Sequence, residues 1–248
     1  MNENNLNLKD FKIIYVFVSG GIDSTYLYEK LKKFYKDKVI PINCFNPFET
    51  NKTLDIIKTN DNSFISLRSK NLKYPYKFYI IEAFKRLPFA INRLKTTKNY
   101  DKKTNFKCCY YIKHKALREA KSLVSDNVCF ISGIKAGDGK QRRIFLSQLH
   151  NGSYKSIENH KPTFFLKHKK TKMIYAYPFR DYFYREFPNI VLKRLRIKYP
   201  NLNHSGCYFC PVLLMFNIQS EGMRYEASLK LANKLKINPY QVENTKKR

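Results

Sequence analysis

From residue 11 to residue 18 the chain reads FKIIYVFV, an apolar run that ends at two glycines. A run this short, bounded by glycine, predicts a strand buried on both faces. The period then changes. Leu27, Leu31 and Phe34 recur at helical spacing with lysines opposite them, which predicts a helix over 24–36. VIPINCF at 39–45 and SFISL at 63–67 repeat the strand signal. Phe78, Ile81, Phe84 and Leu87 share one side of a predicted helix at 76–94. A loop rich in Lys, Thr and Asn at 95–107 leads to Cys108 and Cys109, followed by a helix at 113–124 and a strand, VCFISGI, at 128–134. The stretch 135–172 is polar and basic and reads as an irregular insertion, and MIYAYPF at 173–179 reads as another strand. The remainder is mostly helical, broken by NHSGCYFCP at 203–211.

Strands that alternate with helices imply an α/β fold: a parallel twisted sheet with helices on both faces, here with a mostly helical C-terminal part. The expected division is a flexible leader at 1–10, a sheet domain at 11–180 and a helical region at 181–248 that carries the CxxC. In sheets of this kind ligands bind beyond the carboxyl ends of the strands, and the first glycine turn sits at such an end.

Charge changes the picture more than length does. The 248 residues hold 48 Lys+Arg against 19 Asp+Glu, a formal net charge of +29. No fold needs that excess. It predicts attraction to polyanions, nucleic acid first among them. No apolar stretch is long enough to span a bilayer, and MNENNLNLKD lacks the basic-then-apolar order of a signal peptide. The expectation is a cytoplasmic protein without a membrane partner. Six cysteines in that compartment point to thiols or metal ligands rather than disulfides.

The junction SGGIDST at 19–25 is the first candidate site. Gly20 and Gly21 admit close backbone approach, and the helix that follows offers its first N–H groups to an anion. Ser19, Ser24 and Thr25 add hydroxyls. Asp23 suits an anion cradle only if a cation such as Mg²⁺ is shared with the phosphates. Without such a ligand the same residues make an ordinary capped strand-to-helix turn. The string resembles the SGGxDS loop of the PP-loop ATP pyrophosphatases, the adenine nucleotide α-hydrolase-like superfamily, and lacks the GK[ST] ending of the other common phosphate loop. The resemblance implies a Rossmann-like sheet of the adenine nucleotide α-hydrolase type. It further implies ATP cleaved between its α and β phosphates, with pyrophosphate against Ser19, Gly20, Gly21, Asp23 and Ser24. Position 22 is often Lys in such loops and is Ile here, so one phosphate contact is either missing or supplied elsewhere.

Cys108 and Cys109 are adjacent, and Cys207 and Cys210 form a CxxC. Two thiol pairs suit a four-sulfur metal site, and the adjacent pair fits the separate corners of an iron–sulfur cluster better than a single zinc. The residues alone leave open that the first pair is apolar packing. Cys44 and Cys129 fall inside predicted strands and read as core. CCYYIKHKALREA at 108–120 resembles the CC segment of the phosphoadenosine phosphosulfate (PAPS) reductase-like family, whose cluster-bearing members pair it with a later CxxC. GIKAGDGKQRRIF at 133–145 resembles the family's strand-then-basic-loop segment, which implies that Lys135, Arg142 and Arg143 face phosphate or sulfate. YPFRDYF at 177–183 resembles its Pro-containing segment before a helix.

Two departures narrow the choice. The chain has no cysteine after Cys210, where the family's reductases carry their nucleophile, and it keeps the ATP form of the loop. The expectation is therefore an ATP-dependent adenylyltransferase or sulfurtransferase acting on nucleic acid, tRNA or DNA. Asp23, Lys135, Arg142 and Arg143 are its candidate catalytic residues. Ser19, Gly20, Gly21, Asp23, Ser24 and Thr25 would hold ATP and Mg²⁺, and Cys108, Cys109, Cys207 and Cys210 a 4Fe–4S cluster, with zinc as the alternative. Alternatives in function are a sulfonucleotide reductase, a sulfate adenylyltransferase-like enzyme and a non-catalytic nucleic-acid-binding protein with stacking tyrosines at 110, 111, 182 and 184. A sulfur-donor protein and a homodimer are implied by the family alone.

Overall fold

The structure is a computed structural model. It describes residues 8–49, 51–98, 106–134, 146, 154–156, 165–168, 172–179, 189–200, 202 and 207–238. Lys135, Arg142, Arg143, Tyr182, Tyr184 and most of the leader lie outside these.

The chain packs as two compact units. The first comprises Met1–Asn43, Asn51–Leu67 and Ala120–Ser205, and the second Cys44–Thr50, Arg68–Glu119 and Gly206–Arg248. Segment 68–119 thus packs with the CxxC region rather than with the sheet that precedes it in sequence.

The first unit is α/β. Its strands are β1 (Ile13–Phe17), β2 (Val39–Cys44), β3 (Ile65–Leu67), β4 (Val128–Ser132), β5 (Tyr154–Ser156), β6 (Phe165–His168) and β7 (Ile174–Ala176). They form one sheet in the order β3-β2-β1-β4-β7-β6-β5. β1 pairs in parallel with β2 and β4, and β4 with β7. β6 runs antiparallel to β7 and to β5. All five strands anticipated from the sequence are present. The insertion expected at 135–172 contributes two more, which an all-parallel reading did not foresee. A turn joins β6 to β7: His168 N–H reaches Met173 O at 2.8 Å and Lys172 N–H reaches His168 O at 2.9 Å, with Lys172 at φ +60°. Phe165 and Leu166 are buried while Lys167 is exposed, so lysines masked the strand signal.

Helix α1 (Ile22–Tyr35) follows β1, and α2 (Lys52–Asn60) lies between β2 and β3. Leu27, Tyr28 and Leu31 of α1 join Ile14, Val16, Val18 and Ile131 in one core. Asp61, at the end of α2, is buried and fully engaged. Its Oδ2 accepts from Tyr28 Oη at 2.7 Å and pairs with Lys32 Nζ at 2.8 Å, and its Oδ1 accepts from Ser63 Oγ at 2.5 Å.

The second unit is helical. The run expected at 76–94 is two helices, α3 (Tyr76–Lys85) and α4 (Leu87–Thr97), because Pro88 cannot continue a helix but suits the first turn of a new one. A helical run at 107–118, called α5, contains a π-helical turn at Tyr110–His114 and begins six residues earlier than the sequence suggested. Beyond α6 of the first unit (Asn189–Lys198) come α7 (Pro211–Met215) and α8 (Met223–Lys234). Ile80, Phe84, Leu87, Ile112, Leu213 and Leu214 form the core of this unit.

Candidate functional sites: a glycine turn and a thiol cluster

β1 feeds β2 on one side and borders β4 on the other, so the strand order reverses beside β1. That switch point, at the carboxyl ends of the strands, is where open α/β sheets bind ligands. The SGG turn occupies it. Val18 N–H still pairs with Ile42 O at 2.8 Å, and the next residues leave the sheet.

Gly20 has φ +73°, a conformation that L side chains rarely adopt. A Cβ at that position would also overlap the side chain of Asn51. Asn51 is a residue the sequence reading missed. Its Oδ1 caps α2 by accepting from Thr53 N–H at 3.1 Å and Leu54 N–H at 3.3 Å, while its Nδ2 donates to Ser19 O at 3.1 Å. Asn-x-Thr at a helix start is a recognisable cap signal, but its second bond to the turn is not.

Three carbonyls of the turn are engaged internally. Asn43 Nδ2 donates to Val18 O at 2.6 Å, Asn51 Nδ2 to Ser19 O, and Ser24 Oγ to Gly21 O at 3.1 Å. Gly21 is the N-cap of α1 and offers no side-chain cap, and the first internal bond of the helix is Thr25 N–H to Gly21 O at 3.0 Å. A turn with these acceptors occupied and an uncapped helix start leaves a field that favours an anion.

The hydroxyls divide by role. Ser24 is buried, and its single proton goes to Gly21 O. Its oxygen accepts from Ser19 N–H at 3.1 Å, so the 3.0 Å contact between the two hydroxyls has Ser19 as donor. A phosphate oxygen would compete with Ser24 for that proton. Thr25 is fully buried, and its hydroxyl has no hydrogen-bond partner. It faces the core rather than solvent. Asp23 is half-buried in the first turn of α1. A Cβ placed on Gly133, just past β4, would lie 3.5 Å from the backbone of Asp23 and Ser24, so β4 ends beside the turn.

The thiols gather in the second unit. Cys108, Cys109, Cys207 and Cys210 are all unoxidised, and all lie close enough to perturb one another's ionisation. The interaction between the Cys108 and Cys109 thiols lowers the pKa of Cys109 and, with burial, raises that of Cys108. Burial pushes Cys207 up to about 11, against the pull of Lys113 and of Asn46 Nδ2, which donates to Cys207 Sγ at 3.0 Å. Burial also raises Cys210, opposed by the N–H groups of Val212 and Leu213 that point at its sulfur.

Three polar residues around the thiols were not anticipated. Asn46 is buried and bridges its own loop to Cys207, since its Oδ1 accepts from Phe48 N–H at 3.1 Å. Lys113 lies one helical turn after Cys109, with Nζ 3.9 Å from Glu49 Oε2. Burial opposes the charge on Lys113, but Glu49, Cys207, Cys109 and Cys44 outweigh it and raise its pKa. Glu49 has a buried Oε1 without a partner. Cys44, read from sequence as core, is half-buried and feels both Lys113 and Glu49, while Cys129 is fully buried in β4 as expected.

Among the described residues no three His, Cys, Asp or Glu side chains stand as ligands of a metal ion. A lone zinc with bonds of about 2.3 Å holds its sulfurs at a separation near 3.8 Å. The donor set itself fits a sulfur-ligated group: four soft thiols, largely buried, a cation beside them and an amide N–H on one sulfur. Among the described residues no helix is long and apolar enough to cross a membrane. Comparison of the chain with protein-family models, curated proteins and solved structures finds no match. The structure shows an α/β unit with a mostly parallel, Rossmann-like sheet.

Proposed function

We propose that the protein is an ATP-dependent adenylyltransferase of the PP-loop type, akin to the PAPS reductase-like family, that activates nucleic acid for sulfur incorporation. The observation that carries this reading is the turn at the switch point. Three of its carbonyls are bound internally, its helix start is uncapped, and Gly20 takes a conformation that L side chains rarely adopt.

In this reading the β and γ phosphates lie against Ser19, Gly20, Gly21 and the first turn of α1. Ser19 turns its proton from Ser24 to a phosphate oxygen. Asp23 would hold Mg²⁺, which would supply positive charge for the phosphates. An acceptor oxygen attacks the α-phosphorus, the bond to the bridging oxygen of the β-phosphate breaks, and pyrophosphate leaves with charge that the N–H groups of the helix start offset. Lys135, Arg142 and Arg143 follow β4 in sequence and would offset charge at the α-phosphate.

Cys108, Cys109, Cys207 and Cys210 would hold an iron–sulfur cluster, with zinc as the alternative. Such a cluster supplies a site for sulfur if one iron is open, and a structural tie if all four thiolates bind. Lys113 and Asn46 would stabilise the negative charge of the thiolates in either case.

The test is pyrophosphate release from ATP by the full-length protein, with and without tRNA or DNA. The expected result is release that nucleic acid stimulates. Absence of release under every condition overturns the enzymatic reading in favour of a nucleic-acid-binding protein. Anaerobic purification with iron and sulfide analysis checks the thiols separately: iron and sulfide together support a cluster, and zinc alone removes it.

A further inference from the structure

Within the second unit, five aromatic rings form a continuous row. Tyr74 packs on Phe78 with ring centroids 4.2 Å apart, and both touch Tyr79, at 6.4 and 5.7 Å. Tyr79 stacks on Tyr111 at 4.2 Å and an interplanar angle of 22°, and Tyr111 meets Tyr110 edge-on at 5.3 Å. The middle of the row is anchored: Tyr79 is buried, and its hydroxyl accepts from Tyr74 N–H at 3.3 Å. The ends of the row are not covered. Tyr74 is 41% exposed, and Phe78 and Tyr110 are each 39% exposed. Three large rings left in water on one row call for an occupant.

Cations accompany the rings. Lys73 Nζ stands 5.3 Å from the Tyr74 ring, Lys115 Nζ 5.1 Å from Tyr111, and the Arg118 guanidinium 5.3 Å from Tyr110. The two sequence stretches that build the row, 68–79 and 107–118, contain no Asp or Glu. Glu119, the next residue, is paired with Lys70 at 3.1 Å. Rigid aromatic faces alternating with cations match the chemistry of unpaired bases on a phosphate backbone. A duplex hides its base faces and would engage only the cations. The π-helical turn that carries Tyr110 and Tyr111 begins directly after Cys109, so a strand stacked there would run beside the thiols.

We propose that the row Tyr74–Phe78–Tyr79–Tyr111–Tyr110 is a base-stacking platform for single-stranded nucleic acid, with Lys73, Lys115 and Arg118 as its phosphate contacts. The platform deepens the proposed function by naming the form in which its acceptor is presented. It does not depend on ATP chemistry.

The test is fluorescence anisotropy of a labelled mixed-sequence DNA oligonucleotide, single-stranded and as a duplex, against the full-length protein without ATP. Expected are tighter binding of the single strand and quenching of tyrosine emission on binding, visible because the chain has no Trp. Phe78→Ala and Tyr110→Ala each weaken single-strand binding at least about fivefold, the lower bound for one lost stack. Tyr110→Phe preserves it, and Ile197→Ala on exposed α6 leaves it unchanged. Lys73→Gln lowers the slope of affinity against salt by about one contact. Equal affinity for duplex and single strand that the two ring deletions leave intact overturns the proposal. So does ring-dependent binding of anionic vesicles or acidic peptide with the single strand ignored. Pyrophosphate release is measured separately, so failure of the platform leaves the ATP reading standing, and the reverse.

Discussion

The glycine turn and the thiol cluster are built in opposite ways. The turn is made of consecutive residues, mostly backbone, and its internal hydrogen bonds are nearly complete. The cluster is made of side chains from three separate segments, and its bonding is incomplete. Two buried carboxylates show the contrast. Asp61, in the unit that holds the turn, is bonded by Tyr28, Lys32 and Ser63. Glu49, beside the thiols, has one distant cation and one orphaned oxygen. A buried acceptor without a partner is costly, at about 1–3 kcal/mol. The turn thus closes most of its bonds within itself. The thiol cluster leaves a buried carboxylate oxygen open beside it.

Gly20→Ala strikes the turn hardest. It places a Cβ against Asn51 and forces a non-glycine residue to φ +73°. Pyrophosphate release should fall about 100-fold, the scale of a site displaced by about an ångström. The double variant Gly20→Ala/Asn51→Gly removes the overlap but not the strain, so it should recover part of the loss. Full recovery would mean that the overlap alone, and not the backbone conformation, defines the site.

Lys113→Met probes the cluster in the same spirit. It leaves Glu49 buried without its cation and should cost about 2–3 kcal/mol in urea unfolding, below the ~3–5 of a fully buried pair because Lys113 remains 35% exposed. Adding Glu49→Gln should return most of that stability. If Lys113→Met costs nothing, the polar ring around the thiols is incidental, and the contrast with the turn fails.

The acid limb of stability should belong to the first unit. Hydrogen bonds from Lys32, Ser63 and Tyr28 overcome burial and lower the pKa of Asp61 below its usual value. The unfolded chain then binds the proton more readily, so the contribution is full above about pH 4 and is lost as pH falls through the folded value. Asp61→Asn should flatten this loss. Unfolding by urea between neutral pH and pH 3 measures it.

These differences also explain what the sequence could reveal. Ser19, Gly20, Gly21 and Ser24 were legible because one short stretch carries the strand end, the turn and the helix start. The partnership of Asn51 with Gly20 was not, since it spans the whole of α1 and β2. The four clustered cysteines announced themselves by residue type. Asn46, Glu49 and Lys113 did not, because common polar residues acquire meaning only from what they are folded against. Pro88 was a readable break that the longer apolar period of 76–94 obscured. β6 was hidden by an exposed lysine, Lys167, in a strand of four residues.

Thr25→Val tests the smallest of these distinctions. The Thr25 hydroxyl lies in α1, where it would ordinarily bond back to the carbonyl four residues earlier. That carbonyl, Gly21 O, already accepts from Thr25 N–H and Ser24 Oγ. The hydroxyl is left buried and unpaired. Valine keeps the shape and removes the unmet polar atom, so the variant should be neutral or more stable by up to about 1 kcal/mol in urea unfolding. Release of pyrophosphate should be unchanged, because Thr25 faces the core while the proposed phosphate contact is Ser19. A loss of activity without a loss of stability would show instead that the Thr25 hydroxyl turns outward when phosphate binds, and the turn would then be as unfinished as the thiol cluster.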